Sequence, residues 1–318
     1  MPGHRVRHRS LANLAGLSGL AVLAILFFSL GLLPPVAAAF EKIPAEYLFE
    51  ITEAGGLPLK QPTDVAVAGN RLYVLDGLNH RVAVFDLGGG YLQQFGGGAV
   101  QGRAIGLCAG PGGRIYVADA DTAKVTVYSG EGKVQSSFTV TPVKKGGKPE
   151  ITDCAVSEKG EIFLVDNDNH HIHVYGRNGS RLRGWGSFGE EDNQFRYPAT
   201  VALDGHGTVY VVDVINNKVK GFRPSGELSL WFGGWGITPG KLYRPKGVMI
   251  SGTRVFVSDS YTGAIQVFDT SGAFTGLLAL GDGPNLRLKT PTNMAFSGNR
   301  LFVVEQLKNR ISVWKVGK

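Results

Sequence analysis

Six acidic side chains recur along this chain at a nearly fixed interval. Asp76, Asp119, Asp166, Asp213, Asp259 and Glu305 close the stretches LYVLD, IYVAD, IFLVD, VYVVD, VFVSD and LFVVE, with steps of 43, 47, 47, 46 and 46 residues. A carboxylate can move a proton or hold a cation. A catalytic group is needed once, however, and a residue present in every copy is architecture. An Asp or Asn in a turn accepts backbone N–H groups that would otherwise be orphaned. Asn79 recurs as Asn169 and Asn216 in comparable turns and reads the same way. Chemistry is therefore to be sought where the copies differ.

Several departures from the repeat carry reactive side chains. The third copy reads DNDNHHIHVYG, with His170, His171 and His173; His171 and His173 point to one side of a strand, and a pair of ligands is too few for a zinc site. Cys108 and Cys154 lie in corresponding strands of neighbouring copies. Aligned on the repeat, Cys108 matches Ala66 and Cys154 matches Val65, one position out of phase. That phase and a sheet spacing of ~10 Å imply two buried free thiols. The stretch TPVKKGGKPE places Lys144, Lys145 and Lys148 where other copies have a Gly-rich connection, a basic loop suited to an anionic partner. Phe95, Trp185, Trp231 and Phe232 are expected to pack between repeats. G-x-S-x-G, H-E-x-x-H, P-loop and C-x-x-C-H patterns do not occur, so neither common hydrolase and nucleotide motifs nor covalent haem attachment is indicated.

The elements that must position these residues follow from the alternation of apolar and polar residues. Each copy starts with a short strand, Pro-led in PTDVAV, PATVAL, PKGVMI and PTNMAF. The strand ending in the recurrent acid follows, then a polar turn, a third strand such as RVAVFD, and a fourth ending in glycines. Period-two alternation with turn residues between is the mark of half-buried strands. Four antiparallel strands per ~46 residues, repeated six times, is a propeller blade pattern.

The sixth copy stops after its third strand, while a surplus strand, EYLFEITEAGG, precedes the first copy. The segment Tyr47–Thr52 is therefore expected to complete the last blade and remove its open edge. Leu59 lies three residues before Pro62, as Phe195, Leu242 and Leu288 do before Pro198, Pro245 and Pro291, which places the surplus strand where a fourth strand belongs. In such a ring the connection into each first strand and the turn between second and third strands share one face. Asp64, Asp153, Thr200, Lys246 and Asn293 would line the mouth of the central channel there. Different polar groups converging on one pocket are the default ligand site.

The pattern YVLDGLNHRVAVFD, with its Pro-led strand and a loop such as WGSFGEEDNQFRYP, resembles the NHL repeat over residues 47–316. The resemblance implies an all-β, six-bladed NHL-type β-propeller with four antiparallel strands per blade, the last closed by the N-terminal strand (about residues 47–52). NHL-like proteins include binding modules, scaffolds and some enzymes. One NHL-like lyase uses zinc bound by histidines of several blades. By that resemblance His80 and His170, at matching turn positions, are the alternative metal ligands, for Zn or Ca, although the later copies supply no third histidine there.

Residues 1–39 combine a basic head with Arg5, Arg7 and Arg9, an apolar run from Leu11 to Leu33, and a small-residue exit before Phe40. That is a signal peptide or an N-terminal membrane anchor, leaving residues 40–318 as a single extracytoplasmic propeller: periplasmic, secreted or anchored. The net charge of +7 falls to +4 without the head's arginines, too mild for nucleic acid. The expectation is a monomeric, non-enzymatic binding or scaffold module without a cofactor. Its partner would be an envelope protein or a small ligand, and it would touch the membrane only through an uncleaved N-terminal segment. The competing expectation is a metal-dependent lyase or lactonase-like hydrolase on the same fold.

Overall fold

The computed structural model describes residues 40–97, 100, 102–280 and 287–317. The segment read as a signal or anchor lies outside them. Six antiparallel sheets of four strands stand around an axis. Blade one comprises Pro62–Ala68, Arg71–Asp76, Arg81–Asp86 and Tyr91–Gly96. Blade two comprises Ala104–Gly110, Arg114–Asp119, Lys124–Tyr128 and Val134–Thr139. Blade three runs through Ile151–Val156, Ile162–Asp166, His171–Tyr175 and Arg181–Trp185, and blade four through Pro198–Leu203, Val209–Asp213, Lys218–Phe222 and Leu228–Gly233. Blade five runs through Pro245–Ser251, Arg254–Asp259, Ala264–Asp269 and Phe274–Ala279. Blade six has Pro291–Ser297, Arg300–Glu305 and Arg310–Val316. The first strands touch one another in an unbroken cycle, blade six against blade one included.

The N-terminal strand Glu41–Ile51 closes the ring as expected, and does more. Ala45 to Ile51 pair antiparallel with Arg310–Val316, Tyr47 opposite Trp314 and Ile51 opposite Ile311. Upstream, Glu41 to Pro44 pair parallel with Phe274–Ala279, the outer strand of blade five. One strand thus joins the outer edges of two blades and covers backbone donors that an open edge would expose. Its side chains follow the fourth-strand pattern too. Phe95 of blade one lies under Gly132 in the outer hairpin of blade two, where any Cβ would sit 2.4 Å from the ring. Phe49 meets Gly89 of blade one in the same way, at 2.7 Å. Both glycines have positive φ, 81° and 87°, so sterics and backbone both require glycine there.

The hydrophobic core is six clusters, one between each pair of neighbouring blades. Leu59, Phe195, Leu242 and Leu288, three residues before their prolines, are all buried in these clusters. Phe95 stacks toward Tyr128 of the next blade, Trp185 toward Phe222 and Phe232 toward Phe268, so these aromatics pack between blades as expected. Trp231 differs: it is 51% exposed, with the Lys218 ammonium 4.1 Å above its ring.

Cys108 and Cys154 are joined in a disulfide, which overturns the expectation of free thiols. The phase was read correctly, since Cys108 pairs with Tyr116 and Cys154 with Leu164, one step apart in their sheets. The error lay in the conclusion. Facing sides of two neighbouring blades are opposite sides of equivalent sheets, so out-of-phase residues meet. Near the axis the blades also converge well below sheet-stacking distance, and the two Cα atoms are 5.7 Å apart.

Candidate functional site at the channel mouth

The recurrent acids are structural. Asp76 Oδ1 accepts Lys60 N–H at 2.7 Å, Asp166 accepts Glu150 N–H at 3.0 Å, and Asp213 accepts Arg196 N–H at 2.8 Å. Asp259 accepts four backbone N–H groups, from Tyr243, Arg244, Tyr261 and Thr262. Glu305 accepts Lys289 N–H at 2.7 Å. Each fixes the loop that leads into a first strand against the turn after its own strand. Asp119 differs in being only half-buried and in serving its own turn, through Asp121 and Thr122 N–H. The burial cost of three of these carboxylates is offset by a cation that varies by blade, Arg81 on Asp76, Lys220 on Asp213 and Arg310 on Glu305, whereas Asp166 lies 3.1 Å from His173 Nε2.

The same loops set the channel mouth. Backbone bonds such as Asn167 N–H to Glu150 O tie the turn between second and third strands to the incoming loop, putting both on one face. Along the first strands, the second residues are Thr63, Ile105, Thr152, Ala199, Lys246 and Thr292, and the third are Asp64, Gly106, Asp153, Thr200, Gly247 and Asn293. The third residues form a waist. At Gly247 a Cβ would fall 2.1 Å from Thr292 O of blade six, so two first strands touch there through bare backbone.

Above the waist lies a vestibule of about 270 Å³, bordered by Thr200, Lys246 and Asn293 with Thr63, Arg103 and Glu150 among others. Below it lies a chamber of about 220 Å³ with mainly aliphatic walls, bordered by Asp64, Asp153, Asn293 and the disulfide. The five channel residues therefore divide. Asn293 borders both spaces, Thr200 and Lys246 only the vestibule, Asp64 and Asp153 only the chamber. Thr200 is committed to structure, its hydroxyl donating to Lys246 O at 2.9 Å.

Asp64 and Asp153 are almost fully buried and brace the ring. Asp64 Oδ2 accepts Leu107 N–H at 2.6 Å from blade two, and Asp153 Oδ2 accepts Val201 N–H at 2.8 Å from blade four. The two carboxyls are near enough for the charge of one to act on the other. Burial pushes both up, and the neighbouring Asp153 charge adds to the rise at Asp64. The pair accordingly holds on to a proton near neutral pH, because two adjacent buried carboxylates cannot both ionise cheaply. Burial, and then the Arg244 charge, hold the Lys246 ammonium below its ordinary value. Among the described residues Lys246 makes no ion pair, whereas Arg103 beside it is held by Asp121 and Glu150. The Thr63 and Thr292 hydroxyls, on the same vestibule wall, are buried without partners.

His80 and His170 hold one recurrent turn position. Both occupy the left-handed residue after the second strand, with φ of 50° and 54°; Ala123, Asn217, Gly263 and Asn309 hold that position elsewhere, with φ from 52° to 67°. His170 Nδ1 accepts Tyr197 N–H at 3.1 Å, as Asn309 Oδ1 accepts Gln61 N–H at 2.7 Å. Their recurrence is turn geometry. Among the described residues no three His, Cys, Asp or Glu are grouped to hold a metal. Lys144, Lys145 and Lys148 are exposed, and Asn169 donates to Lys148 O, which sets their loop on the mouth face. Sequence reasoning missed exposed aromatics on that face: Phe188, Trp235 and Tyr261 are 62%, 74% and 64% exposed. For Phe188 and Trp235 the signal was present in the WGSFGEEDNQFRYP and GGWGITPGKLYRP connections, where the aromatic follows the strand-ending glycine; Tyr261 lies in the turn after Arg254–Asp259.

Fold and site together define a six-bladed β-propeller whose axial channel opens on the loop face. The NHL repeat model matches residues 59–85, within the first blade. Residues of this chain are 25% identical over 133 positions to the protein brain tumor of Drosophila melanogaster, covering 41% of this chain and 12% of that one. Two solved structures share the fold. A virginiamycin B lyase from Staphylococcus aureus aligns with a TM-score of 0.60 at 16% identity, over 82% of each chain. A gluconolactonase from Xanthomonas campestris aligns with a TM-score of 0.64 at 14% identity, over 88% of this chain and 99% of that one.

Proposed function

We propose that the protein is an exported binding module, not an enzyme, that takes a small anionic ligand, a carboxylate or phosphate, at the channel mouth. The observation that carries this reading is the Lys246 ammonium, which borders a polar vestibule and makes no ion pair among the described residues, the Glu150 carboxylate there being taken by Arg103. The unpartnered Thr63 and Thr292 hydroxyls supply neutral donors on the same wall. Convergent donors around a half-buried cation recognise an anion, and partial burial strengthens the attraction. Burial, which raises both Asp64 and Asp153, disfavours two negative charges on the floor. The exposed Lys144–Lys148 loop would add a second contact when the anion belongs to a partner protein.

Export is supported by the basic-apolar-small pattern of residues 1–39 and by the disulfide, since disulfides persist in oxidising compartments. Among the described residues no helix is long and apolar enough to cross a membrane. The competing reading, a metal-dependent lyase or lactonase-like hydrolase, would need a third ligand beside His80 or His170, and no group of three His, Cys, Asp or Glu stands there among the described residues. A thermal-shift panel of succinate, citrate and inorganic phosphate tests the proposal. At least one acid is expected to raise the melting temperature of the wild type and not of Lys246→Met. A panel that shifts neither protein, or both equally, overturns the reading.

A further inference from the structure

On the mouth face, blades four and five differ from blades two and three in what their loops expose. The residue two places after the strand-ending acid is Asp121 in blade two and Asp168 in blade three, but Ile215 in blade four and Tyr261 in blade five. Leu78 and Leu307 hold that place in blades one and six. The connection between blades four and five adds Trp235 and Ile237, 74% and 68% exposed. Three rings run from this loop to the next turn. Trp235 lies 6.4 Å from Tyr243 between centroids, and Tyr243 lies 4.4 Å from Tyr261. Phe188 holds the place of Trp235 one blade earlier, bridging to Phe195 as Trp235 does to Leu242. There the His170 ring at 5.0 Å and the Arg196 guanidinium at 5.9 Å flank it, whereas no cation covers the Trp235 ring among the described residues.

The backbone under this strip is pinned. Asp259 accepts the Tyr243 and Tyr261 N–H groups at 2.7 and 3.1 Å. Arg244 O accepts Ser260 N–H at 2.9 Å, and Asn217 O accepts Gly234 N–H at 2.7 Å. Loops held this way keep their large apolar side chains in water, and contiguous apolar exposure marks an interaction site. The charge around the strip is one-sided. Segments 214–218, 233–244 and 260–264 contain Lys218, Lys241 and Arg244 and no Asp or Glu, and the adjoining Asp213 and Asp259 are buried. None of those three cations makes an ion pair among the described residues. No residue of the strip borders the vestibule, so this surface is separate from the Lys246 site.

We propose that the strip of Trp235, Tyr243 and Tyr261, edged by Ile215 and Ile237, docks an acidic polypeptide segment of a partner protein. The segment's apolar side chains lie on the rings, and its carboxylates meet Arg244 and Lys241. Two observations select this occupant. Cationic loops without an acid attract carboxylates and reject a basic partner. Trp, Tyr and Arg are the residue types that anchor protein interfaces, and a strip that mixes them with isoleucines buries aliphatic side chains as well. The pinned backbone leaves little ordering to oppose association.

Biolayer interferometry of the full chain against a glutamate–tyrosine copolymer, polyglutamate and a lysine–tyrosine copolymer tests this. The glutamate–tyrosine copolymer is expected to bind best, polyglutamate about tenfold more weakly, and the lysine–tyrosine copolymer not at all. Affinity for the first should fall about tenfold or more in the double variant Trp235→Ser, Tyr261→Ser and in Arg244→Ser. It should be unchanged in Leu182→Ser, an exposed apolar residue on the outer strand of blade three. The substituted side chains are exposed, so all the variants are expected to melt within a few degrees of wild type. No binding of the glutamate–tyrosine copolymer by the wild type, equal binding of the two copolymers, or unchanged affinity in the double variant or in Arg244→Ser overturns the proposal. Binding to phosphatidylglycerol vesicles in place of the copolymer overturns it too, since the strip would then be a membrane contact.

Discussion

Two rings of polar residues encircle this propeller, and they obey opposite rules. The outer ring of Asp76, Asp166, Asp213, Asp259 and Glu305 repeats one residue type and one task, holding each incoming loop. The waist at Asp64, Gly106, Asp153, Thr200, Gly247 and Asn293 repeats neither. Agreement among copies marks a mechanical need that every blade shares. Disagreement marks a place where the six blades serve one axial space between them.

If the outer ring and the ring closure are mechanical, breaking them should cost stability first. Deleting residues 41–51 should have the largest effect, because it opens the edges of blades five and six and removes the Phe49 and Ile51 contacts. The truncated protein is expected to aggregate or melt far below the full chain; equal melting temperatures would refute the closure. Asp259→Ala comes next, since it orphans four backbone N–H groups and should cost about 4 kcal/mol in denaturant unfolding. Replacing Cys108 and Cys154 together with serine should cost roughly 2–4 kcal/mol, the usual worth of a bridge closing a loop of this length.

The waist should answer to pH instead. Burial raises Asp153 above its unfolded value, to about 7, so the native protein keeps a proton that the unfolded chain has lost. Its contribution to stability is therefore lost as pH rises from the ordinary carboxyl range through that value. Asp153→Asn removes the slope. The variant's stability relative to wild type should improve by up to about 4 kcal/mol between pH 4 and pH 8, followed by urea melts. His171, held low by burial, gives the opposite slope in both proteins and cancels in the difference. A constant difference across that range would mean the two carboxyls do not share a proton.

Much of this contrast was legible in the sequence, because a repeat is its own alignment. The interval between LYVLD and its copies gave the blade number, and the unmatched strand near Tyr47 gave the closure. What escaped depended on relations between blades. Pairing of Glu41–Pro44 with blade five has no counterpart in any other copy, so no internal comparison could show it. The Cys108–Cys154 bridge was hidden because phase within a sheet does not tell which sides of neighbouring sheets meet. Lys246 was grouped with Asp64 and Asp153 although it stands one residue earlier in its strand, which is the difference between the vestibule and the chamber. The exposure of Phe188 and Trp235 escaped for another reason: an aromatic in a Gly-rich loop reads the same whether it packs inward or faces water.

The central claim is that binding resides where the blades disagree, with Lys246 as its charged anchor. Calorimetric titration of succinate and of inorganic phosphate into wild type and Lys246→Met at pH 7 tests it most directly. The account predicts a measurable heat with one of these anions for the wild type and at least a tenfold weaker affinity for the variant, at a melting temperature within a few degrees of wild type. Affinity unchanged in Lys246→Met would contradict it.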